Sequence, residues 1–157
     1  MRTRKYSNRD LPVMTEIWNE LIEAGEAFPA TEPFDATSGE KFFSSQTYCA
    51  VAVDFGGNLH GIYTIYSETE GGIANVKFAV RNCSRCQKGA QDLMNDCLKV
   101  AKEKGYSGLI SDPIAESNEI AKHIFEKMGF ELKETIPGGY IMKDGQAVNA
   151  LIYQLQL

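Results

Sequence analysis

One segment, residues 72–105, constrains this chain more than any other, because it leads from an apolar strand through a basic connection into an amphipathic helix. Residues 73–80 are apolar at most positions, as in a buried strand. From Ala90 onward, apolar side chains recur at helical spacing and charged side chains occupy the opposite face. Gly105, a residue type common at helix C-caps, follows them. The segment therefore predicts a strand and a long helix in close succession.

The connection between this strand and helix has the properties of an anion site. Arg85 and Lys88 place two cations where the helix is expected to begin. Backbone N–H groups in a first helical turn lack intrahelical partners, and with the helix dipole they favour a phosphate. Gly89 and Ala90 keep large side chains away from its approach. The residue order matches neither a Walker A loop nor the spaced-glycine dinucleotide fingerprint, so the design of this phosphate site is a different one.

The same residues resemble the signature of the GNAT acetyltransferases: Arg or Gln, two residues, Gly, one residue, then Gly or Ala, with Leu three positions later. Arg85, Ala90 and Leu93 match this signature, and Lys88 stands where the family prefers Gly. In the family this loop wraps the pyrophosphate of acetyl-coenzyme A. The resemblance therefore implies that acetyl-coenzyme A is bound by the loop residues Arg85, Cys86, Gln87, Lys88, Gly89 and Ala90.

A second match lies farther along the chain. Residues 117–130, with Asn118 near the start and Phe-Glu-Lys-Met-Gly-Phe at the end, resemble the family's helix beside the coenzyme. This resemblance implies that Asn118 lies near the coenzyme and that Phe125 covers its pantetheine arm. The alternative for Asn118, a residue at a helix start, is a local backbone partner at the turn. In the family, the strand before the phosphate loop pairs with pantetheine through its backbone, and here it corresponds to Phe78, Ala79 and Val80.

Residues 136–140 and two proline-containing stretches, 27–29 and 31–33, resemble a narrower GNAT branch. That branch includes proline-analogue (azetidine-2-carboxylate) acetyltransferases and phosphinothricin acetyltransferase-like sequences. The implied acceptor is the amine of a small molecule, an amino acid or amino-acid analogue. Glu32 and Tyr140 lie in loops that the family uses to shape the acceptor site, although an exposed carboxylate and a packed tyrosine would look the same in sequence.

Asn75 and Asp112 are the candidate catalytic residues, and both are also candidate acceptor contacts. An amide at position 75 of an apolar strand faces either the opposite side of the sheet or a pocket, and the matching Asn of the proline-analogue branch contacts the acceptor. Asp112 follows a short buried strand, where sheet proteins place reactive groups. Ionised Asp112 would accept a proton from an amine or select a cationic acceptor, and would repel a carboxylate. The alternative is a solvated residue preceding Pro113.

Phe125 departs from the family at a position where many members carry a Tyr that protonates the leaving thiolate. Phenylalanine cannot donate a proton, but a thiolate is a fair leaving group without protonation.

The sequence features leave two functions open. The first is an acetyl-coenzyme A dependent N-acetyltransferase that works by direct attack in a ternary complex. The second is a catalytically weak domain that binds or senses coenzyme A. A Rossmann-type nucleotide binder fits poorly, because the strands before the loop read as hairpins.

The whole pattern predicts one α+β domain over residues 1–157, with a mixed, mostly antiparallel central sheet flanked by helices, as in the GNAT fold. Asp10 is expected to cap the first helix, which ends at Gly25, and Ser117 is expected to cap the last, which ends at Gly129. A short helix is expected over residues 40–45. Strands are predicted at residues 2–6, 48–55, 59–66, 108–111, 130–136 and 148–157, the last two forming a hairpin around a loop that contains Pro137.

Composition excludes several partner classes. A net charge of −5 argues against nucleic acid and anionic membranes. No apolar run is long enough to cross a bilayer or to form a signal peptide, so a cytoplasmic protein is expected. The four cysteines include only one C-x-x-C pair, Cys83 and Cys86, and the histidines are distant, so no metal site is expected. The family resemblance also implies a homodimer, with residues 148–157 pairing across the interface.

Overall fold

The computed structural model of the protein describes residues 1–25, 32–81 and 84–157, and of residues 84–88 it describes the backbone alone. In chain order, the elements are β1 (Arg2–Lys5), a 3-10 turn (Asn8–Asp10), α1 (Leu11–Ala24), α2 (Ala36–Ser45), β2 (Tyr48–Val53), β3 (Leu59–Tyr66), β4 (Ile73–Val80), α3 (Ser84–Glu103), β5 (Gly108–Ser111), β6 (Ile114–Ala115), α4 (Glu119–Lys127), β7 (Glu131–Ile141) and β8 (Ala147–Gln156).

The strands form one eight-stranded sheet in the order β1-β2-β3-β4-β5-β8-β6, with β7 paired to β8. Among the described strands, β4 and β5 are the only parallel neighbours, and the other pairs are antiparallel. The expected α+β architecture with a mixed, mostly antiparallel sheet is therefore confirmed. β8 pairs with β7 along one edge and with β5 and β6 along the other. The expected pairing of residues 148–157 across a subunit interface is not available to this strand, because both edges are occupied within the chain.

The helices cover the two faces of the sheet and create two apolar cores. On one face, α3 and α4 contribute Leu93, Cys97 and Phe125 to a core that includes Val76 and Val80 of β4. On the other face, α1 and α2 contribute Met14, Ile17, Trp18 and Phe43 to a core that includes Ala79. Side chains of β4 therefore alternate between an α3–α4 side and an α1–α2 side, as the pleat of a strand requires.

Of the two predicted helix caps, Asp10 is confirmed in position but does not bond to its helix, and Ser117 is wrong. Asp10 occupies the N-cap position of α1 but makes no side-chain hydrogen bond to that helix. Its carboxylate instead accepts bonds from both Arg4 nitrogens, at 2.7 and 2.9 Å, and from the backbone N–H of Ser7 at 2.8 Å. At α4 the cap is Asn118, whose Oδ1 accepts from the N–H of Ala121 at 3.1 Å. Ser117 lies one residue too early for that role.

Several elements differ from the sequence prediction for identifiable reasons. α2 begins at Ala36 and not at residue 40, because Asp35 caps it by accepting the N–H of Ser38 at 2.7 Å. α3 begins at Ser84, so residues 85–90 form its first turns and do not precede it. β7 continues through Pro137 as a bulge, in which Gly138 adopts a left-handed φ of 63° and its N–H bonds to Asn149 Oδ1 at 3.2 Å. β6 was not predicted, because a strand of two residues carries no periodicity. Gly105, with a φ of 81°, ends α3 as expected.

Candidate active site

The central feature of the site is the point at which β4 and β5 separate. Their parallel pairing ends at Val76 and Ser111, whereas β4 continues to Val80 on the β3 side. The Ser111 hydroxyl accepts the backbone N–H of Tyr153 at 2.9 Å, and the next residues pair with β8 as β6. The chain after β5 therefore follows β8 and leaves β4, which opens a gap in the sheet.

Backbone groups of β4 point into this gap. The N–H of Arg81 bonds to the carbonyl of His60 on the β3 side, at 3.0 Å. Because hydrogen-bonding direction alternates along a strand, the backbone N–H and C=O groups of Phe78 and Val80 point away from β3, toward the space where β5 is missing. This direction leaves the backbone of Phe78 and Val80 available to a ligand, whereas the backbone of Ala79, which was also expected to contact the ligand, faces β3.

A cleft of about 210 Å³ occupies the gap. Its walls come from both sides of the sheet, because Glu20, Leu21 and Ala24 belong to α1 and Ile120, Ala121, Ile124 and Phe125 to α4. The remaining lining residues come from β4 and the β5–α4 connection: Val76, Lys77, Phe78, Val80, Asp112, Pro113, Ile114 and Asn118. The cleft thus connects the α1 side with the α4 side of the sheet.

A second groove of about 320 Å³ continues from the cleft between α3 and α4. The two spaces share Val80, Ile120 and Ile124 as walls. Ala90 of the predicted phosphate loop lines this groove, and Lys127 stands at its edge with a cationic side chain. A long ligand that lies along α3 and α4 can therefore reach the gap in the sheet.

Two polar residues of the cleft lining, Lys77 and Asp112, form a closed triangle of side chains with Asn75, which does not itself line the cleft. Asn75 Nδ2 donates to Asp112 Oδ1 at 2.7 Å. Lys77 Nζ donates to Asn75 Oδ1 at 2.7 Å and lies 3.1 Å from Asp112 Oδ2. The structure therefore brings together the two predicted catalytic residues, Asn75 and Asp112, and adds a cation between them. Opposite charges at this separation attract strongly at a site partly withdrawn from water.

Lys77 is the site residue that sequence reasoning missed. Asn75 and Lys77 are two positions apart in one strand, so they share a face, and Ala79 on that face packs toward α1 and α2. A signal was present, because two successive polar residues on one face of an otherwise apolar strand indicate a pocket there. Only the tertiary structure could show that Asp112 meets both.

The wall opposite this triangle is aromatic. Phe125 is buried and contacts Phe78 edge-on, with ring centroids 5.8 Å apart, and it stacks on Tyr153 at 5.7 Å. The Tyr153 hydroxyl donates to Glu126 at 3.3 Å and does not line the cleft. Burial and the neighbouring Glu126 raise the pKa of Tyr153. Phe125 thus supplies apolar cover and no acid.

The other predicted site residues lie in varied places. Asn118 lines the cleft but also uses its side chain to cap α4. Tyr140 is buried beside Ala115 and Ala150, outside the cleft lining, and Glu32 is exposed. The predicted phosphate-loop side chains at positions 85–88, together with Cys83 and residues 27–29 and 31, lie outside the described part of the chain.

Gly89 is buried and does not line the groove. A Cβ at this position would meet Met1 Sδ and come into ordinary contact with Ala52 of β2. Met1 Sδ is at the far end of a flexible side chain that can move aside, so packing against the sheet does not require glycine here. Ala90, one position later, does line the groove.

In residues 1–25, 32–81 and 84–157, no helix is long and apolar enough to cross a bilayer. Within the same ranges, no three His, Cys, Asp or Glu side chains are grouped as ligands for a metal ion.

The arrangement has known relatives. A family model described as the acetyltransferase (GNAT) family matches residues 13–130. The chain belongs to this family. It is an acetyl-coenzyme A dependent acetyltransferase with the GNAT fold, as the resemblance of the loop and of the helix beside it implied. No curated protein matches the GNAT chain described here in sequence.

Solved structures show the same fold over nearly the whole of this GNAT chain. A GCN5-related N-acetyltransferase from Kribbella flavida is 21% identical, with a TM-score of 0.87 over 99% of this chain and 97% of that one. An N-acetyltransferase from Staphylococcus aureus Mu50 is 21% identical, with a TM-score of 0.86 over 98% and 96%. A phosphinothricin acetyltransferase from Sinorhizobium meliloti, solved with acetyl-coenzyme A, is 19% identical, with a TM-score of 0.87 over 99% and 87%.

Proposed function

We propose that this acetyltransferase moves an acetyl group from acetyl-coenzyme A to the amine of a small molecule, an amino acid or amino-acid analogue, by direct attack in a ternary complex. The observation that carries the proposal is the cleft that passes through the sheet where β4 and β5 separate. A donor that enters between α3 and α4 and an acceptor that enters beside α1 meet in this gap without a covalent enzyme intermediate.

The donor side has features suited to coenzyme A. The exposed backbone groups of Phe78 and Val80 match an arm of amides, which pairs with a strand edge as another strand would. Ile120, Ile124 and Phe125 provide an apolar wall for the methylene groups of that arm. α3 begins at Ser84, so the N–H groups of its first turn, together with the cationic residues Arg85 and Lys88 of the sequence there, suit its pyrophosphate. Asn118 lines the same cleft as the apolar wall.

The acceptor side supplies a proton acceptor. The amine nitrogen attacks the thioester carbon, the carbon–sulfur bond breaks, and the proton leaves the nitrogen for Asp112, directly or through a water molecule. A backbone N–H of Phe78 or Val80 stabilises the negative charge that develops on the carbonyl oxygen. Phe125 donates no proton, so the sulfur leaves as a thiolate, which is acceptable for a group of low basicity.

Calorimetric titration with acetyl-coenzyme A tests the donor site. Arg85→Ala and Lys88→Ala are expected to weaken binding by about tenfold each, the effect of losing one charge-assisted phosphate contact. Lys99→Ala is the matched control, because Lys99 is an exposed cation of the same helix far along its length. Equal affinities in all three variants would contradict the proposed position of the pyrophosphate.

Steady-state kinetics with an amine panel test the acceptor site and the order of events. Initial-rate lines that intersect in double-reciprocal plots are expected for a ternary complex, and parallel lines would indicate a covalent intermediate. Asp112→Asn is expected to lower kcat by about 100-fold or more. An unchanged kcat would assign the proton transfer to another group.

The alternative is a domain that binds or senses coenzyme A with little chemistry. Phe125 and Lys88 favour it, because they replace a proton donor and a glycine that many family members carry. Tight binding of acetyl-coenzyme A with no turnover across amino acids and cationic amines would support this alternative. Turnover of any amine with an ordinary kcat would dismiss it.

A further inference from the structure

We infer that Lys77, held in place by Asn75, binds a carboxylate of the acceptor, so that the acceptor's amine comes to lie beside Asp112. The inference rests on the proposed function, since it names the acceptor class of the same cleft. It assigns a role to Lys77, which no motif had indicated.

The hydrogen-bonding capacity of the triangle supports the inference. An ammonium has three N–H donors and a primary amide has two. Lys77 uses two of its N–H donors in contacts with Asn75 and Asp112, and Asn75 uses one of its two in a hydrogen bond to Asp112. Within the described residues, one N–H of the Lys77 ammonium is left for a ligand, and Lys77 lines the cleft whereas Asn75 does not. A cationic N–H forms a charge-assisted hydrogen bond with a carboxylate oxygen.

The charges around the cleft support it as well. Of the described residues that line the cleft, Lys77 alone has a cationic side chain, and Glu20 and Asp112 are its acids. Glu20 is already engaged by Arg81 at 3.2 Å. Lys77 is 19% exposed, so an incoming anion meets a partly desolvated cation, which strengthens the attraction.

The triangle also specifies how far apart the charges of the ligand lie. Lys77 Nζ and Asp112 Oδ2 are 3.1 Å apart, so a ligand that contacts both has its amine and its carboxylate close together. An α-amino acid, in which one carbon separates the two groups, meets this condition in every conformation, whereas a γ-amino acid meets it only when its chain is folded back. The ion pair also removes the repulsion that Asp112 alone would exert on an acceptor carboxylate.

A comparison of acids with amides tests this inference on the intact enzyme. Proline and methionine are compared with their α-amides, and 4-aminobutyrate serves as the γ-amino acid. Binding is measured by calorimetry in the presence of coenzyme A, and kcat/KM is measured in parallel with acetyl-coenzyme A. The wild-type enzyme is expected to favour at least one α-amino acid over its amide by about tenfold or more.

Variants of Lys77 show whether that preference arises in the triangle. Lys77→Met is expected to weaken binding of the acid by about 10- to 100-fold and to change binding of the amide less than about threefold. Lys77→Arg keeps the charge and is expected to restore part of the preference. Lys122→Met is the control, because it removes a cation of α4 that does not line the cleft.

Three results would overturn the inference. One is a wild-type preference for amides or simple amines, which needs no variant and so does not depend on how Lys77→Met folds. Another is an equal loss of acid and amide binding in Lys77→Met, which would make the triangle a clamp between β4 and the β5–α4 connection. The third is an acid preference that survives in Lys77→Met. Failure of acetyl-coenzyme A to bind would instead count against the proposed function, since acceptor binding is measured separately.

Discussion

Asp10 joins the first strand to the first helix, and Asp10→Asn is expected to lower the free energy of unfolding by about 2 kcal/mol at neutral pH. The Asp10 side chain is 5% exposed and accepts two bonds from Arg4 and one from the backbone of Ser7. Asparagine keeps the shape but loses the charge and one of the two acceptor oxygens. One nitrogen of Arg4 then faces an NH2 group.

The magnitude follows from these contacts. A hydrogen bond to a charged group contributes about 1.5–3 kcal/mol when its partner is left unsatisfied. The Arg4 side chain is 31% exposed, so water partly replaces the lost oxygen and places the effect near the middle of that range. A loss of about 2 kcal/mol is large relative to the marginal stability of a domain of this size.

The pH dependence has a definite sign. The Arg4 guanidinium holds the pKa of Asp10 below its ordinary value of 3.8. A carboxyl whose pKa is lower in the folded state stabilises the fold above its unfolded pKa, and this stabilisation is lost as pH falls through the folded pKa. The difference between the wild type and Asp10→Asn is therefore expected to be constant near neutrality and to shrink below about pH 4.

Urea unfolding followed by fluorescence measures this difference, because Trp18 is the only tryptophan and is buried against α2. Asp35→Asn is the matched control, since Asp35 is an exposed N-cap of α2 and asparagine caps equally well. We expect a lower midpoint with an unchanged m-value for Asp10→Asn and no change for the control. A shift below about 0.5 kcal/mol, or a difference that stays constant down to pH 2, would refute the reasoning.

Three further outcomes are expected. Ala121→Trp adds an indole to the 210 Å³ cleft and should weaken acetyl-coenzyme A binding by more than about tenfold in calorimetry. Tyr63→Phe removes a buried hydroxyl that donates to Asp96 at 2.5 Å, and should lower the free energy of unfolding by about 1–3 kcal/mol in urea titrations. Cys49 is buried, and burial raises the pKa of its thiol to about 12. Ellman's reagent should therefore label the native Cys49→Ser variant to the same extent as the native wild type. After unfolding, the reagent should find one thiol fewer in the variant.

Local patterns in the sequence determined most of the secondary structure. β3, β4, β5 and the end of α3 lie where the alternation of apolar residues and Gly105 placed them, because these signals depend only on neighbours in the chain. The family was recognisable for a similar reason, since the residues of its loop and of its last helix are contiguous. Errors arose where two neighbouring residue types can do the same task, as Ser117 and Asn118 both can at a helix cap.

The site could be predicted only in part. The predicted polar members, Asn75 and Asp112, were each identified from the strand that carries them, but their direct contact was not. The gap beside β4 lies where the chain after β5 pairs with β8, next to the Ser111 hydroxyl that accepts the N–H of Tyr153. The periodicity of residues 108–115 does not indicate this pairing. Tyr140, predicted from its loop, lies in a small buried cluster away from the cleft.

The sequence by itself determined which segments become strands and helices, and which family the chain belongs to, because propensity, capping and motif order act over a few residues. The tertiary structure alone decided which side chains meet. The Asp10 carboxylate bonds to Arg4 and not to the helix that Asp10 precedes. Lys77 of β4 forms an ion pair with Asp112, which follows β5. Such pairs depend on how the sheet is ordered and where it opens, which is settled only when distant segments pack together.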